Sequence, residues 1–326
     1  MYIVPVFPTR IYRVSARTSP VNGDDEGDLN AFTFFEKFPG EQAAIDYLEA
    51  ERWPDRVECP RCGWHITSRI KNRNTHYCAG CKKQFSVRTG SIFEHSNIPL
   101  RKWIYAMYVF NNARKGISSA QLARDLGITQ SSAWFMMHRL REAMQPDFEL
   151  LKGEIEIDEA YVGGLEKNKH FDKKLWENWI EGKQLMLGFR ERGGRIIIRP
   201  IHSNSRESLE ADILFAVEKD AFIFTDEHSG YDNLSEWYEH ETIRHKSGEW
   251  VRDNVTTNSI ESVWAILKRA HKGIYHQWSR KHGGRYANEV AYRLTEGRMS
   301  VPIVTRVKKL TQKSFEVQLT YKELTR

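Results

Sequence analysis

GEIEIDEAYVGG, residues 153–164, is the stretch whose reading decides the fold. Apolar and acidic residues alternate from Glu154 to Asp158, the period of a strand with two different faces. Aspartate has low strand propensity, and a buried unpaired carboxylate is costly. A cation removes that cost, so the stretch reads as half of a metal site. Asp158 and Glu159 are both candidate ligands at this point, and the other half lies further along the chain.

Charge is blocked rather than mixed. Residues 51–145 hold 16 Lys and Arg against 6 Asp and Glu, residues 146–262 hold 15 against 25, and residues 263–326 hold 14 against 4. Acids gathered between two basic flanks suit a centre that holds cations beside a polyanion. No apolar run reaches the roughly 18–20 residues of a membrane span, so no membrane partner is expected. The opening MYIVPVFPTR lacks the basic-then-apolar order of a secretory signal and is broken by Pro5 and Pro8. The expected location is cytoplasmic.

Cys59-Pro-Arg-Cys62 and Cys78-Ala-Gly-Cys81 form two CxxC pairs. Four thiolates in two close pairs suit tetrahedral Zn²⁺. With short strand-like pieces at 65–71, 75–77 and 84–88, this is a zinc ribbon. Four protein ligands leave no open position, so the Zn²⁺ is structural. His65 and His76 are read as surface residues.

Residues 98–144 read as helical. In SSAQLARDLGITQSS, residues 118–132, Ala123 and Gly127 stand four apart among Leu122, Leu126 and Ile128. That is helix-turn-helix spacing: a small residue where two helices touch, and Gly at the turn. Thr129, Gln130, Ser131, Phe135 and Arg139 are the residues expected to meet DNA.

Beyond Phe148 strands and helices alternate. The first strand is followed by a hairpin, 184–190 and 195–201, across Gly193-Gly194. A helix from Ser205 to about Lys219, a strand at 221–226, a helix at 231–238, a strand at 241–246 and a helix at 258–271 complete the series. This order is that of a ribonuclease-H-like α/β domain. Asp226 ends its strand, where ligands gather in open α/β sheets. Asp158, Asp226 and Glu261 can converge on a two-metal Mg²⁺ (or Mn²⁺) site. Glu159 and Glu227 are second candidates, but strand neighbours face opposite sides. Asn258, Glu261 and Lys268 fall near one helix face, where Lys268 and Arg269 can hold phosphates. His276 and Trp278 are candidates for stacking on an unpaired base.

CPRCG with CAGC, GEIEIDEAYVGG, FTDEHSGY and TNSIESVWAILKRAHKGIYH occur in this order. Together they resemble bacterial insertion-sequence transposases of the DDE class, in the group with an N-terminal zinc ribbon and an ISXO2-like catalytic domain. The resemblance implies Asp158, Asp226 and Glu261 as the acidic triad and Lys268 as the lysine near DNA. The third acidic position varies in related groups, which makes Asn258 a lesser candidate for it. The sequence departs from the pattern at His282-Gly283-Gly284 and at 293–298.

The expected organisation follows. Residues 1–30 form a weakly ordered lead, 31–95 a short helix plus zinc ribbon, and 96–147 a helix-turn-helix DNA-binding segment. Residues 148–300 form the ribonuclease-H-like catalytic domain and 301–326 a basic tail. The expected activity is metal-dependent cleavage of element ends in double-stranded DNA, then 3′-hydroxyl strand transfer to target DNA. A homo-oligomer acting at the nucleoid is implied with it. The alternatives are a non-catalytic DNA-binding regulator and a nuclease without strand transfer.

Overall fold

The computed structural model describes residues 28–163, 183–243, 256–297 and 300–326. Expectations for residues 1–27, 164–182, 244–255 and 298–299 lie outside the described residues.

Strand β4, Glu154–Val162, is the middle of a five-stranded sheet. The hairpin β5 (Gln184–Glu191) and β6 (Ile196–Pro200) adds antiparallel on one side. β7 (Phe222–Asp226) and β8 (Glu239–Ile243) add parallel on the other, giving the order β6-β5-β4-β7-β8. A central strand needs both faces covered, and β4 alternates accordingly. Ile155 and Ile157 join the core under α6 (Arg206–Ala216), while Ala160 and Val162 join the core under α7 (Asn258–Ala270) and α8 (Arg280–Glu296). The α8 helix spans the His282-Gly283-Gly284 departure.

Strands β1 (Thr67–Ile70), β2 (Thr75–Cys78) and β3 (Gln84–Phe85) form the small antiparallel sheet of the cysteine segment. The helices α1 (Ala31–Lys37) and α2 (Glu41–Arg52) precede it in the chain, and α3 (Leu100–Asn112), α4 (Ser119–Leu126) and α5 (Gln130–Ala143) follow it. Ser118 caps α4 by accepting from Gln121 N, and Thr129 caps α5 by accepting from Ser132 N. Gly127 between them has φ +59°, a left-handed value that favours glycine. Leu122, Ala123 and Leu126 are buried, so the hairpin packs as its spacing requires.

Two expectations need correction. Residues 231–238 do not form an α-helix; short 3₁₀ turns cover Ser229–Tyr231 and Leu234–Glu236. Tyr231, Leu234 and Tyr238 are still buried, because 3₁₀ turns also serve an i, i+3 apolar spacing. The α6 helix stops at Ala216, because Val217 turns extended and bridges to Leu151. The basic tail is folded: α9 (Ile303–Lys313) buries Val307 and Leu310 in the same core as Trp103, Met107 and Leu140. A last short helix, α10, covers Tyr321–Thr325.

Candidate active site

The four cysteines converge. Their sulfurs lie within 4.8 Å of one another, with Cys59–Cys81 at 3.8 Å and Cys62–Cys78 at 3.6 Å. Burial would push the Cys78 thiol up. The N–H groups of Cys81 and Gly80 and the Cys62 thiol outweigh it and draw it down to about 7. An all-sulfur set of four at this spacing fits Zn²⁺. His65 is exposed as expected, but His76 is buried: it stacks on Phe85 and lies 3.2 Å from Glu49 Oε1. That contact ties the ribbon to α2.

The acidic candidates sit on the larger sheet. β4 and β7 run parallel, with Glu154 opposite Phe222 and Glu156 opposite Phe224. The same offset, continued two residues, brings Asp158 level with Asp226. The ladder between the two strands has ended by then, while β4 stays paired with β5 and β7 with β8 through Asp226. The ladder thus ends short of Asp226, at the carboxyl end of β7, the side of such sheets where ligands gather. Asp226 Oδ1 accepts from His228 N at 3.0 Å, which fixes the start of the following turn.

Asp158 lies on the α7 face. Its Oδ2 accepts from Trp264 Nε1 at 2.8 Å, and its Oδ1 from Glu159 N at 2.8 Å. The Trp264 ring reaches Asp158 over Gly188, where a Cβ would come within 2.6 Å of it. Burial, then the neighbouring charges of Glu159 and Asp226, push the Asp158 carboxyl up to about 7, against these two hydrogen bonds. Glu159 points to the opposite face: Tyr231 donates to it, and His228 Nδ1 is 3.5 Å away. Burial again raises its carboxyl, with Asp226 adding to the effect. Asp158 and Glu159 are thus both partly desolvated, on opposite faces of β4, and each feels the charge of Asp226, an arrangement a divalent cation beside Asp158 relieves.

Glu261 is half-buried in the first turn of α7, three residues before Trp264 and so beside it on the helix surface. Among the described residues, only the four cysteines bring three or more metal-ligating groups within 4.8 Å of one another. Asp158, Asp226 and Glu261 are therefore more widely spread. Asn258, Lys268 and Arg269 are exposed on α7, and His276 is exposed with φ +59° just beyond it. Trp278 is half-buried and stacks on Tyr286 at 4.7 Å, so its face is used within the fold.

Thr129, Gln130 and Ser131 are exposed at the start of α5. Phe135 is half-buried between the Tyr321 ring and the Arg139 guanidinium. Arg139 itself corrects an expectation. It is 5% exposed and donates through Nε and Nη1 to Leu319 O, Ile92 O and Glu94 O, so it braces the fold rather than standing out from α5 toward DNA. Sequence reasoning also missed Trp264; a large aromatic three residues after Glu261 was its only signal.

Residues 150–295 match the ISXO2-like transposase domain, and residues 39–84 match the transposase zinc-ribbon domain. The chain carries both domains of these insertion-sequence transposases. A curated relative is the uncharacterized protein in transposable element ISH50 of Halobacterium salinarum. It is 26% identical over 255 residues, which cover 73% of this chain and 86% of that protein. The transposase domain contains Asp158, Asp226 and Glu261, and the zinc-ribbon match contains all four cysteines. Among the described residues, no helix is long and apolar enough to cross a membrane.

Proposed function

We propose that this protein cleaves the ends of an insertion sequence and joins the freed 3′-hydroxyl to target DNA, with Asp158, Asp226 and Glu261 as its metal-binding triad. The reading is carried by the parallel register of β4 and β7, whose offset extended two residues past the ladder sets Asp158 against Asp226, and by the charge of Asp226 acting on Asp158. The sheet order β6-β5-β4-β7-β8, with its antiparallel hairpin and two parallel additions, supports a ribonuclease-H-like fold. Hard oxygen donors and the raised Asp158 carboxyl fit Mg²⁺ or Mn²⁺. When bound, such ions activate the attacking oxygen and stabilise the leaving one.

The chain's own residues supply the rest. Trp264 holds Asp158 by one oxygen, and the Asp226–His228 turn holds Asp226. Lys268 and Arg269, exposed on α7, would meet backbone phosphates. Asn258 and His276 are lesser candidates nearby. The zinc ribbon and the exposed Thr129, Gln130 and Ser131 would engage element ends in double-stranded DNA, with the protein assembled as an oligomer on the two ends. Strand transfer of labelled ends by the Asp226→Asn variant tests the reading. A loss of at least about 100-fold is expected for a ligand to the reacting centre, and undiminished joining would overturn it. Cleavage without joining in the unaltered protein would favour a nuclease.

A further inference from the structure

Glu156 lies two residues before Asp158, on the same face of β4, and is 1% exposed. A carboxylate so far from water must find partners. Its Oε2 accepts from Ser259 N at 3.0 Å, Ser259 Oγ at 2.5 Å and Ile260 N at 2.9 Å. These N–H groups belong to the first turn of α7, which has no partners for them within the helix. The N-cap of α7, Thr257, makes no side-chain capping bond, so a residue 103 positions away in sequence caps this helix. The negative charge also faces the positive end of the helix dipole. Arg192 completes the clamp: its Nε donates to Glu156 Oε1 at 3.2 Å and its Nη2 to Thr256 O at 3.2 Å. Arg190 Nη1 donates to Ser259 O at 2.6 Å and to Ser262 Oγ at 3.1 Å.

Glu261 follows Ile260 directly. We infer that Glu156 is a positioning residue that caps α7 from the sheet and thereby fixes Glu261 relative to Asp158. This rests on the catalytic reading above. One carboxylate links the strand of one triad member to the first turn of another. A displacement of about 1 Å in such a centre can cost about 100-fold in rate.

The test uses full-length Glu156→Gln, Glu156→Asp and Ser259→Ala proteins. Hydrogen exchange of the 256–263 segment is followed together with cleavage of labelled element ends. Glu156→Gln should speed exchange in that segment at least tenfold and leave the β5 segment 184–191 unchanged. The cleavage kcat should fall about 10- to 100-fold, with KM for DNA within about twofold. Glu156→Asp, one methylene short, should stay impaired, and Ser259→Ala should shift both readouts the same way by less. Restored activity in Glu156→Asp would overturn the inference, because charge alone would then suffice. So would unchanged cleavage with faster exchange, or lost cleavage with unchanged exchange. If Glu156→Gln does not fold, Ser259→Ala decides by the same two readouts. An active Asp226→Asn protein would sink the catalytic reading alone, since the exchange measurement needs no activity.

Discussion

The Trp264 indole donates its N–H to Asp158 Oδ2 at 2.8 Å, so helix α7 is hydrogen-bonded to the carboxylate it faces. Trp264→Phe keeps an aromatic ring on α7, withdraws the Cζ2 and Cη2 atoms that lie over Gly188, and removes the donor. A hydrogen bond to a charged group contributes about 1.5–3 kcal/mol. We expect a fall in Tm of a few degrees and about tenfold slower cleavage, read by calorimetry and by single-turnover kinetics. Equal rates for the two proteins would remove Trp264 from the site.

Gly188→Ala probes the same contact from below. A Cβ there would meet the Trp264 ring at 2.6 Å and Ile260 at 3.1 Å. Overpacking of this kind costs about 1–3 kcal/mol. Because α7 is the element displaced, activity should fall further than stability. Chemical denaturation paired with a cleavage assay measures both.

Part of the candidate site is legible in the sequence, for local reasons. Two CxxC pairs announce a metal because each pair is four residues long, and Asp158 and Asp226 stand out because strands seldom carry aspartate. Glu156 and Trp264 were not legible as site residues, since their partners lie 103 and 106 positions away. Arg139 looked like a DNA contact by its place on α5, yet tertiary packing points it at three carbonyls. The tail looked merely basic, although Val307 and Leu310 already carried a helical spacing. The 231–238 segment was misread because 3₁₀ and α geometry share the i, i+3 neighbour.

A buried ion cluster joins the helical region to the transposase domain. Arg141 Nε donates to Glu289 Oε2 at 2.6 Å, Tyr275 Oη donates to Glu289 Oε1 at 2.5 Å, and Arg293 lies against the same carboxylate. Burial would raise the Glu289 carboxyl; Arg141 and Arg293 overcome it and hold it below the ordinary value. Glu289→Gln leaves two buried guanidinium groups without a counter-charge, which costs about 3–5 kcal/mol. Equilibrium unfolding in urea should show a loss of that size, and a loss under about 1 kcal/mol would contradict it.

Stability should fall on mild acidification. The rings of His138 on α5 and His282 on α8 are 4.7 Å apart. Burial, then Arg141, His282 and Arg285, lower His138 to about 2. Burial, then Arg285, Lys281 and Arg141, lower His282 to about 4. Both folded values lie below the unfolded value of about 6.5, so the unfolded state binds protons first. Stability is full above about pH 6.5 and is lost as pH falls toward 4, by up to about 2.7 kcal/mol per pH unit for two protons. In His138→Leu the slope attributable to the pair should halve, as followed by urea unfolding from pH 7 to pH 4.5.

Zinc removal should act on the ribbon before the rest. One zinc per chain is expected by elemental analysis, and Cys62→Ser should abolish it. Element-end affinity should then drop at least about tenfold, while far-ultraviolet circular dichroism from the α/β sheet persists. Unchanged affinity after zinc loss would remove the ribbon from end recognition.

The most direct measurement of the central claim is metal-specificity rescue at Asp226. The Asp226→Cys protein replaces a hard oxygen donor by sulfur, which Mg²⁺ binds poorly and softer ions bind better. Strand transfer should vanish in Mg²⁺ and return in Mn²⁺, while Asp226→Asn stays inactive in both. Full activity of Asp226→Cys in Mg²⁺, or equal activity of both variants in Mn²⁺, would show that Asp226 does not hold the catalytic metal.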